Sequence, residues 1–366
     1  MNKNTQPQSA AQYKAPAQTQ QPQSKPPKRR KRIRIKPTKE SMIPLLGLLL
    51  VIALAVVLVV FIAKGIVYVV NQPEETTAST DNNQPPETLP WNSAYVTVDH
   101  ANNQIAVGEL ILVNSDNKYT LTDTLKSKLT MLCDREGYNK YFLLGIDGLK
   151  TGVRSSITQA LENMIVALVD ANPDTLGTQF GSADQIMITS GYRDIQKQTD
   201  LYENRTENNY VAQPGHSEHH TGYAVDIKVY KMDKSTVELR SEEQAWMEAH
   251  CAEYGFVIRY DESKYEITDI LDEPWHYRYV GVPHATYMTE YKLCLEEYLE
   301  KIRTSHTYDK TPLEIKVGEK DYLVYYVPAT ENATFTSIPV PPASEGSYTI
   351  SGDNMNGFIV TVEKAS

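Results

Sequence analysis

The stretch "PGHSEHHTGYAVDI", Pro214 to Ile227, places three of the chain's 8 histidines within five residues and follows them with Asp226. The run "YAVDIKVY" alternates, so Val225, Ile227 and Val229 share one face of a strand while Ala224, Asp226 and Lys228 share the other. A carboxylate turned away from the apolar face can hold a cation over the sheet. Gly222 lets the chain bend back, so a histidine a few residues earlier reaches the same centre. A catalytic zinc site takes three protein ligands, so a third must come from elsewhere. "DEPWHYRYVG" offers His276 and, three residues before it, Glu273. Pro274 biases Glu273 toward extended geometry, so this is not a helical H-E-x-x-H pair. On a loop or strand end the two still converge, with Glu273 as general base for a zinc-activated water. A solvated polar loop is the competing reading of the same stretch.

Outward from this centre the pattern is α+β. "SSITQALENMIVALVDANP" carries apolar residues at 157, 160, 161, 164, 165, 168 and 169, one helical face that Pro173 ends. "QIMITSGYRD" is a strand entering a turn, and Asp194 caps a helix from Ile195 to about Arg205. "SEEQAWMEAHCAEYG" is a helix with a Ser241–Gln244 capping box, a Met247, Cys251 and Tyr254 stripe, and Gly255 as its stop. "HATYMTEYKLCLEEYLEKIR" is a single helix burying Tyr291, Cys294, Leu295, Tyr298 and Ile302. "QIAVGELILVN", Gln104 to Asn114, predicts a strand pair around Gly108, and "GFVIRY" and "EPWHYRYVG" are short strands. After Ser305 the runs "EIKV", "DYLVYYV" and "GFIVTV" form a small β module of unknown role over 307–366.

The chain begins differently. Residues 1–41 are a Gln- and Pro-rich, then basic tail, expected to be disordered and cytoplasmic. Met42 to Ala63 is uncharged for 22 residues, long enough to cross a bilayer core of ~30 Å. It is too long, and too far from the start, for a cleaved signal. The nine Lys or Arg of 25–39 set the cytoplasmic side, so the single-pass anchor leaves everything after the 64–95 linker outside the cell. Residues 1–71 hold 12 of the 36 Lys+Arg and one of the 46 acids, which leaves 24 basic against 45 acidic residues, net −21, for the exported part. Such a charge repels phosphate backbones and excludes nucleic acid as a partner. Three cysteines, Cys133, Cys251 and Cys294, allow at most one disulfide. Cys251 and Cys294 sit in apolar stripes as small hydrophobes.

"SEHHTGYAVD" fits S-x-H-x-x-G-x-A-x-D and "EPWH" fits E-x-W-H, and in these the chain resembles the zinc D-Ala-D-Ala carboxypeptidases of the VanY type. "SGYR" and "YGFVIRY" fall in the same order, and the likeness covers roughly residues 100–300 of the chain, most of it the 96–306 segment. The resemblance implies a small antiparallel sheet flanked by helices, the fold shared with lysostaphin- and hedgehog-type domains. It implies zinc held by His219, Asp226 and His276, with Glu273 as general base. By the same resemblance, Arg193 stabilises the oxyanion, and Ser217 and Gln198 bind the substrate's terminal dipeptide. His220 departs from the family, whose members often have Gln there. His216 and His220 are expected to be solvated, as are His100, His250, His284 and His306; Arg259 is left unassigned. The implied substrate is a peptidoglycan stem peptide ending in D-Ala. An L,D-carboxypeptidase acting on tetrapeptide stems is the alternative, and an inactive wall-binding scaffold the alternative of another class. The complete set of three ligands with Glu273 argues against the scaffold. No protein partner is identifiable.

Overall fold

Val225, Ile227 and Val229 are fully buried and fix the strand β6 (Ala224–Tyr230) in the middle of a sheet. The sheet runs β3 (Phe142–Leu144), β5 (Gln185–Ser190), β6, β9 (His276–Tyr279), β8 (Phe256–Ile258), with β7 (Thr236–Val237) also paired to β6, while β2 (Leu129–Met131) and β4 (Gly152–Arg154) pair with each other. The computed structural model describes residues 94–134, 142–144, 152–178, 183–205 and 211–365. The basic tail, the apolar run 42–63 and the linker up to residue 93 lie outside the described residues. Among the described residues no helix is long and apolar enough to cross a membrane.

The sheet is mixed, which corrects the expectation of a wholly antiparallel one. β3 pairs parallel with β5, while β5–β6, β6–β9 and β8–β9 are antiparallel. A parallel neighbour needs a crossover, and the chain between β3 and β5 contains the helix α1 (Thr158–Ala171). Its expected stripe is buried at Ile157, Leu161, Met164, Ile165, Leu168 and Val169 and shares one apolar core with the inner face of β6. Each such side chain contributes about 1.5–3 kcal/mol on burial.

α2 (Ile195–Glu203) starts at Asp194, whose Oδ1 accepts from the Lys197 amide at 2.7 Å. α3 (Ser241–His250) starts one residue earlier than the Ser241–Gln244 box requires. Arg240 is the N-cap, and its amide donates to Glu243 Oε2 at 2.9 Å. Glu243 wins because its buried carboxylate is also needed by the Arg240 guanidinium and the Thr175 hydroxyl. The helix expected across 284–303 is two, α4 (Val282–Tyr291) and α5 (Leu295–Ser305). Lys292 takes φ +53° between them, and Cys294 N–H donates to Glu297 Oε2 to begin the second. Tyr291 therefore stands 55 % exposed, whereas Leu295, Tyr298 and Ile302 are buried as expected. No disulfide joins the three cysteines. Cys251 and Cys294 are buried, and burial pushes both thiols up to about 12.

Gln104–Asn114 forms no strand pair. Leu110 to Val113 are buried at every position, a continuous run that cannot offer a polar face. Its backbone groups go to distant partners. Leu110 N–H donates to Ser351 Oγ, Leu112 N–H to the Asp353 carbonyl, and the Glu109 and Ile111 carbonyls accept from Arg278. The C-terminal strands β10 (Leu313–Val317), β11 (Lys320–Pro328), β13 (Gly346–Gly352) and β14 (Gly357–Lys364) make a second sheet in the order β10-β11-β14-β13. β12 (Phe335–Val340) instead pairs with β1 (Val96–Ala101), from the other end of the described chain. Leu313, Ile315, Val324 and Ile359 share a core with Leu110, Tyr298 and Ile302, so this run is packed into the molecule rather than appended to it.

His284 ties these parts together and is not solvated. Its Nδ1 lies 2.6 Å from the Tyr298 hydroxyl and its Nε2 3.0 Å from Thr361 Oγ1. Burial lowers its pKa from 6.5 to about 3. The unfolded chain thus binds the extra proton first, and stability is lost as pH falls from 6.5 toward 3, by up to about 1.4 kcal/mol per unit from this group. We expect the melting temperature to drop across that window. The His284 ring resonances should show no titration between pH 5 and 8, and a midpoint near 6.5 in the folded protein would contradict this account.

Candidate active site

The ladder between β6 and β9 sets Asp226 directly opposite His276, and the ladder between β5 and β6 sets Ser190 beside Asp226 on its other side. A register shift between Ile188 and Ser190 re-aims the end of β5 at this point. Just ahead of β6, a single helical turn at Glu218–Thr221 carries His219 and ends at Gly222, φ +74°. His219 Nε2 comes within 3.3 Å of Asp226 Oδ1, and His276 Nδ1 within 3.1 Å of the same oxygen. Ligand atoms of all three residues lie within 4.8 Å of one another, and all three residues are buried. The residues whose ligation the sequence predicted are therefore brought to one point.

The hydrogen bonds preset the imidazole tautomers. His219 Nδ1 lies 2.7 Å from the Gly191 carbonyl, which can only accept, so Nδ1 carries the proton and Nε2 presents a lone pair. His276 Nε2 faces Glu218 Oε2 at 3.4 Å, which turns its Nδ1 toward Asp226. Two imidazole nitrogens and one carboxylate oxygen are a donor set that could hold a zinc ion. Glu273 is adjacent: its Oε2 is 3.8 Å from His276 Nδ1. The two residues are joined by a turn, closed by His276 N–H to the Glu273 carbonyl at 2.9 Å, rather than by a strand end.

Electrostatics separate the four groups. By the protein's own charges, burial pushes Glu273 up to about 7, with Asp226 adding to the effect. Burial acts against Asp226 ionisation, yet His219 and Arg193 hold it well below the usual carboxylate range. His219 is lowered to about 4 by burial and then by Arg193. Burial also opposes charge on His276, but bonds to Asp226 and Glu218 outweigh it and raise its pKa to about 9.

Arg193 donates from Nη2 to Asp226 Oδ2 at 2.7 Å and from Nε to Ser190 Oγ at 2.7 Å. Its third nitrogen, Nη1, makes only a 3.5 Å contact to Gln198 Oε1. Gln198 is buried, and its amide donates to the Ala212 carbonyl at 2.8 Å, tying α2 to the far wall of the cleft. A cleft is lined by Arg193, Gln198, Ser217, Trp275, Glu273 and the three converging residues, among others. Over Tyr260 and Ile270 it adjoins a second cavity, toward Asn114 and His216.

The remaining histidines of the loop are scaffolding. His220 is buried, not solvated: Nδ1 bonds the Arg193 carbonyl at 2.7 Å and Nε2 accepts from the Gly215 amide. His216 binds the Asn114 carbonyl and takes no part in the cluster. Four residues that sequence reasoning did not assign, Arg154, Glu218, Arg259 and Arg278, are prominent here. Arg154 donates to the Thr221 carbonyl, the Leu125 carbonyl and the Tyr119 hydroxyl, clamping the turn that carries His219. Glu218 lies between Arg259 Nε at 2.9 Å and Arg278 Nη1 at 2.8 Å. One signal was available: in the strand "HYRY", Arg278 stands two residues from His276 and so on the same face.

Comparison with known proteins agrees with this geometry. The family model described as VanY, D-alanyl-D-alanine carboxypeptidase, matches residues 151–282. A D-alanyl-D-alanine carboxypeptidase of Enterococcus faecium is 34% identical over 263 residues, which are 71% of this chain and 76% of that protein. The chain belongs to this family of carboxypeptidases. The bifunctional D-Ala-D-Ala dipeptidase and carboxypeptidase VanXYC of Enterococcus gallinarum is 38% identical over 130 residues, 32% of this chain and 68% of that protein. Among solved structures, the vancomycin-resistance D,D-dipeptidase VanXYg bound to a D-Ala-D-Ala phosphinate analogue is similar at TM-score 0.58 and 29% identity. The match covers 74% of this chain and 99% of that one. The carboxypeptidase family thus reaches beyond the motifs into the surrounding fold.

Gly222 is the hinge between two of the converging residues. A Cβ there would meet Leu129 Cδ2 at 2.7 Å, in a left-handed conformation. Gly222→Ala is expected to cost about 1–2 kcal/mol from the backbone alone, read as a lower denaturant midpoint. An unchanged midpoint would show that the turn relaxes freely.

Proposed function

We propose that the protein is a zinc metallopeptidase that removes the C-terminal D-Ala from peptidoglycan stem peptides, held outside the cell membrane by residues 42–63. The observation that carries this is the convergence of His219 Nε2, Asp226 Oδ1 and His276 Nδ1 beside Glu273. His219, Asp226 and His276 would hold the metal. When bound, zinc supplies Lewis-acid polarisation and makes water a nucleophile near neutral pH.

The chain's own residues supply the rest. Glu273 sits in a buried pocket with a pKa near 7 by the protein's charges, and added positive charge beside it favours the carboxylate. It accepts the proton of the attacking water and can return it to the leaving amine. Arg193 is fixed at two of its nitrogens, and Nη1 remains to donate to the oxyanion that forms as the amide carbonyl becomes tetrahedral. Ser217 lines the pocket for the terminal dipeptide; Gln198 acts there through the wall it holds. The adjoining second cavity gives room for peptide on the N-terminal side of the scissile bond, which favours a carboxypeptidase over an enzyme restricted to free dipeptide. The D,D specificity of the named relatives favours pentapeptide stems over the tetrapeptide alternative. The uncharged 42–63 run and the nine basic residues before it support the outward-facing anchor.

Glu273→Gln keeps the side chain's shape but cannot accept the proton. It should retain zinc and release D-Ala from a pentapeptide stem at least about 10²-fold more slowly. Chelator should abolish the wild-type release and penicillin should not. Wild-type turnover in Glu273→Gln, or release that is penicillin-sensitive and chelator-resistant, would overturn the mechanism.

Metal uptake should also depend on pH in a defined direction. His276 must be neutral to ligate, while protein charges alone keep it protonated to about 9. Protons therefore compete with metal below that value. Apparent zinc affinity is expected to rise as pH goes from 6 to 9, with about one proton released per zinc near pH 7.5. Calorimetry in buffers of different ionisation enthalpy reads the proton number directly.

A further inference from the structure

We infer that Glu218 is a positioning residue for His276, and that the buried ion cluster around it makes chain segments outside the family-matched 151–282 region part of the working site. The inference rests on His276 being a metal ligand. Glu218 is fully enclosed, 1 % exposed, and its two oxygens do different jobs. Oε1 accepts from Arg259 Nε at 2.9 Å and from Arg278 Nη1 at 2.8 Å. Oε2 faces His276 Nε2 at 3.4 Å. The first pair pins the carboxylate in space; the second turns the ring so that Nδ1 meets Asp226 Oδ1.

Both arginines are themselves held from a distance. Arg259 Nη2 donates to Glu296 Oε1 at 2.7 Å, and that oxygen also accepts from Asn114 Nδ2 at 3.1 Å. Glu296 lies in the first turn of α5. Arg278 Nη2 donates to the carbonyls of Glu109 and Ile111, both at 2.9 Å. Two carboxylates therefore balance two guanidiniums, and all four residues sit on one path from α5 and the 109–114 segment to His276. Breaking a buried charge set of this kind leaves an uncompensated ion, so its members are not exchangeable for neutral groups. A carboxylate on the far nitrogen of a ligating imidazole fixes its tautomer and raises its basicity. Loss of such a partner typically costs 10–100-fold in metal affinity.

The test uses the full chain, with zinc and cobalt(II) as probes. Glu218→Asp keeps the charge that neutralises both arginines but withdraws the carboxylate by one methylene, about 1.5 Å. Glu218→Gln keeps the reach and loses the charge. Glu296→Gln weakens the hold on Arg259 without touching His276. Affinity is measured by competition with a chromophoric chelator, and ligand geometry by the visible spectrum of the cobalt form. Glu218→Asp should bind zinc 10–100-fold more weakly, with an altered cobalt spectrum, at a melting temperature of the chelator-treated protein near that of wild type. Glu218→Gln should lose at least as much if it folds, and Glu296→Gln should shift the same readouts severalfold. Wild-type affinity and an unchanged cobalt spectrum in folded Glu218→Asp and Glu296→Gln would overturn the inference while leaving the zinc reading intact. A wild-type protein that takes up no metal would instead sink the zinc reading, and the inference with it.

Discussion

Everything at the site depends on the register of β6 against β9. Asp226 pairs across the ladder with His276, Val225 with Tyr277 and Ala224 with Arg278. A slip of one residue would send Asp226 into the apolar core and lift Val225 into the cleft. That error is costly in both directions, because Val225 and Tyr277 are fully buried among the residues of α1 and its neighbours. The hydrophobic face thus holds the polar face in register. The row continues past the pair: Ser190 lies on one side of Asp226, and beyond His276 the Arg259 amide donates to the His276 carbonyl at 3.1 Å. Four chain segments deliver Ser190, Asp226, His276 and Arg259 along one line, and Arg193 reaches in to close its near end through Ser190 and Asp226.

Burying so many charges requires that each be matched. Asp226 divides its two oxygens between imidazoles and a guanidinium, Glu218 divides its own between two guanidiniums and an imidazole, and Arg154 spends its donors on two carbonyls and a hydroxyl. Glu273 is matched less well. Its nearest cation, His276, stands 3.8 Å away, and burial outweighs that attraction and raises its pKa to about 7. A carboxyl left in that state costs stability and is the group best placed to exchange a proton. The contrast with Asp226, equally buried yet held ionised by His219 and Arg193, assigns the two carboxylates to different work.

Much of this was legible in the amino-acid order, and the failures share a cause. The α1 stripe, the alternation of β6, the Asp194 cap and the convergence of His219, Asp226 and His276 rest on local periodicity or on motifs, and the structure places them as read. What could not be read is long-range. The apolar residues of the 104–114 run have the look of strands, but its hydrogen-bond partners are Ser351, Asp353 and Arg278. The helix across 284–303 breaks because Glu297 caps a second start at Cys294, a contest between two good helical segments that periodicity alone does not decide. His220 was expected in solvent because loop histidines usually are, and it is buried because the Gly215 amide and the Arg193 carbonyl needed a partner. The parallel pairing of β3 is likewise a matter of tertiary arrangement.

The C-terminal sheet shows why a boundary drawn from sequence character need not be a boundary in the fold. The pattern does change after Ser305, from helical to alternating. Yet β12 pairs with β1, the first strand of the described chain, and His284 of α4 joins Tyr298 of α5 and Thr361 of β14 in one buried chain of hydrogen bonds. Val324 and Ile359 share one core with Leu299 and Ile302. If that face of α5 lost its cover, several fully buried apolar side chains would be exposed, each costing about 1.5–3 kcal/mol, and α5 is the helix that presents Glu296 to Arg259. The strands after 313 supply none of the converging residues, but they fix the helix that steadies one of the ions behind them. Their contribution to the site is mechanical, transmitted through a packed core to the Glu296–Arg259 pair and, from Ser351, through the 109–111 backbone to Arg278.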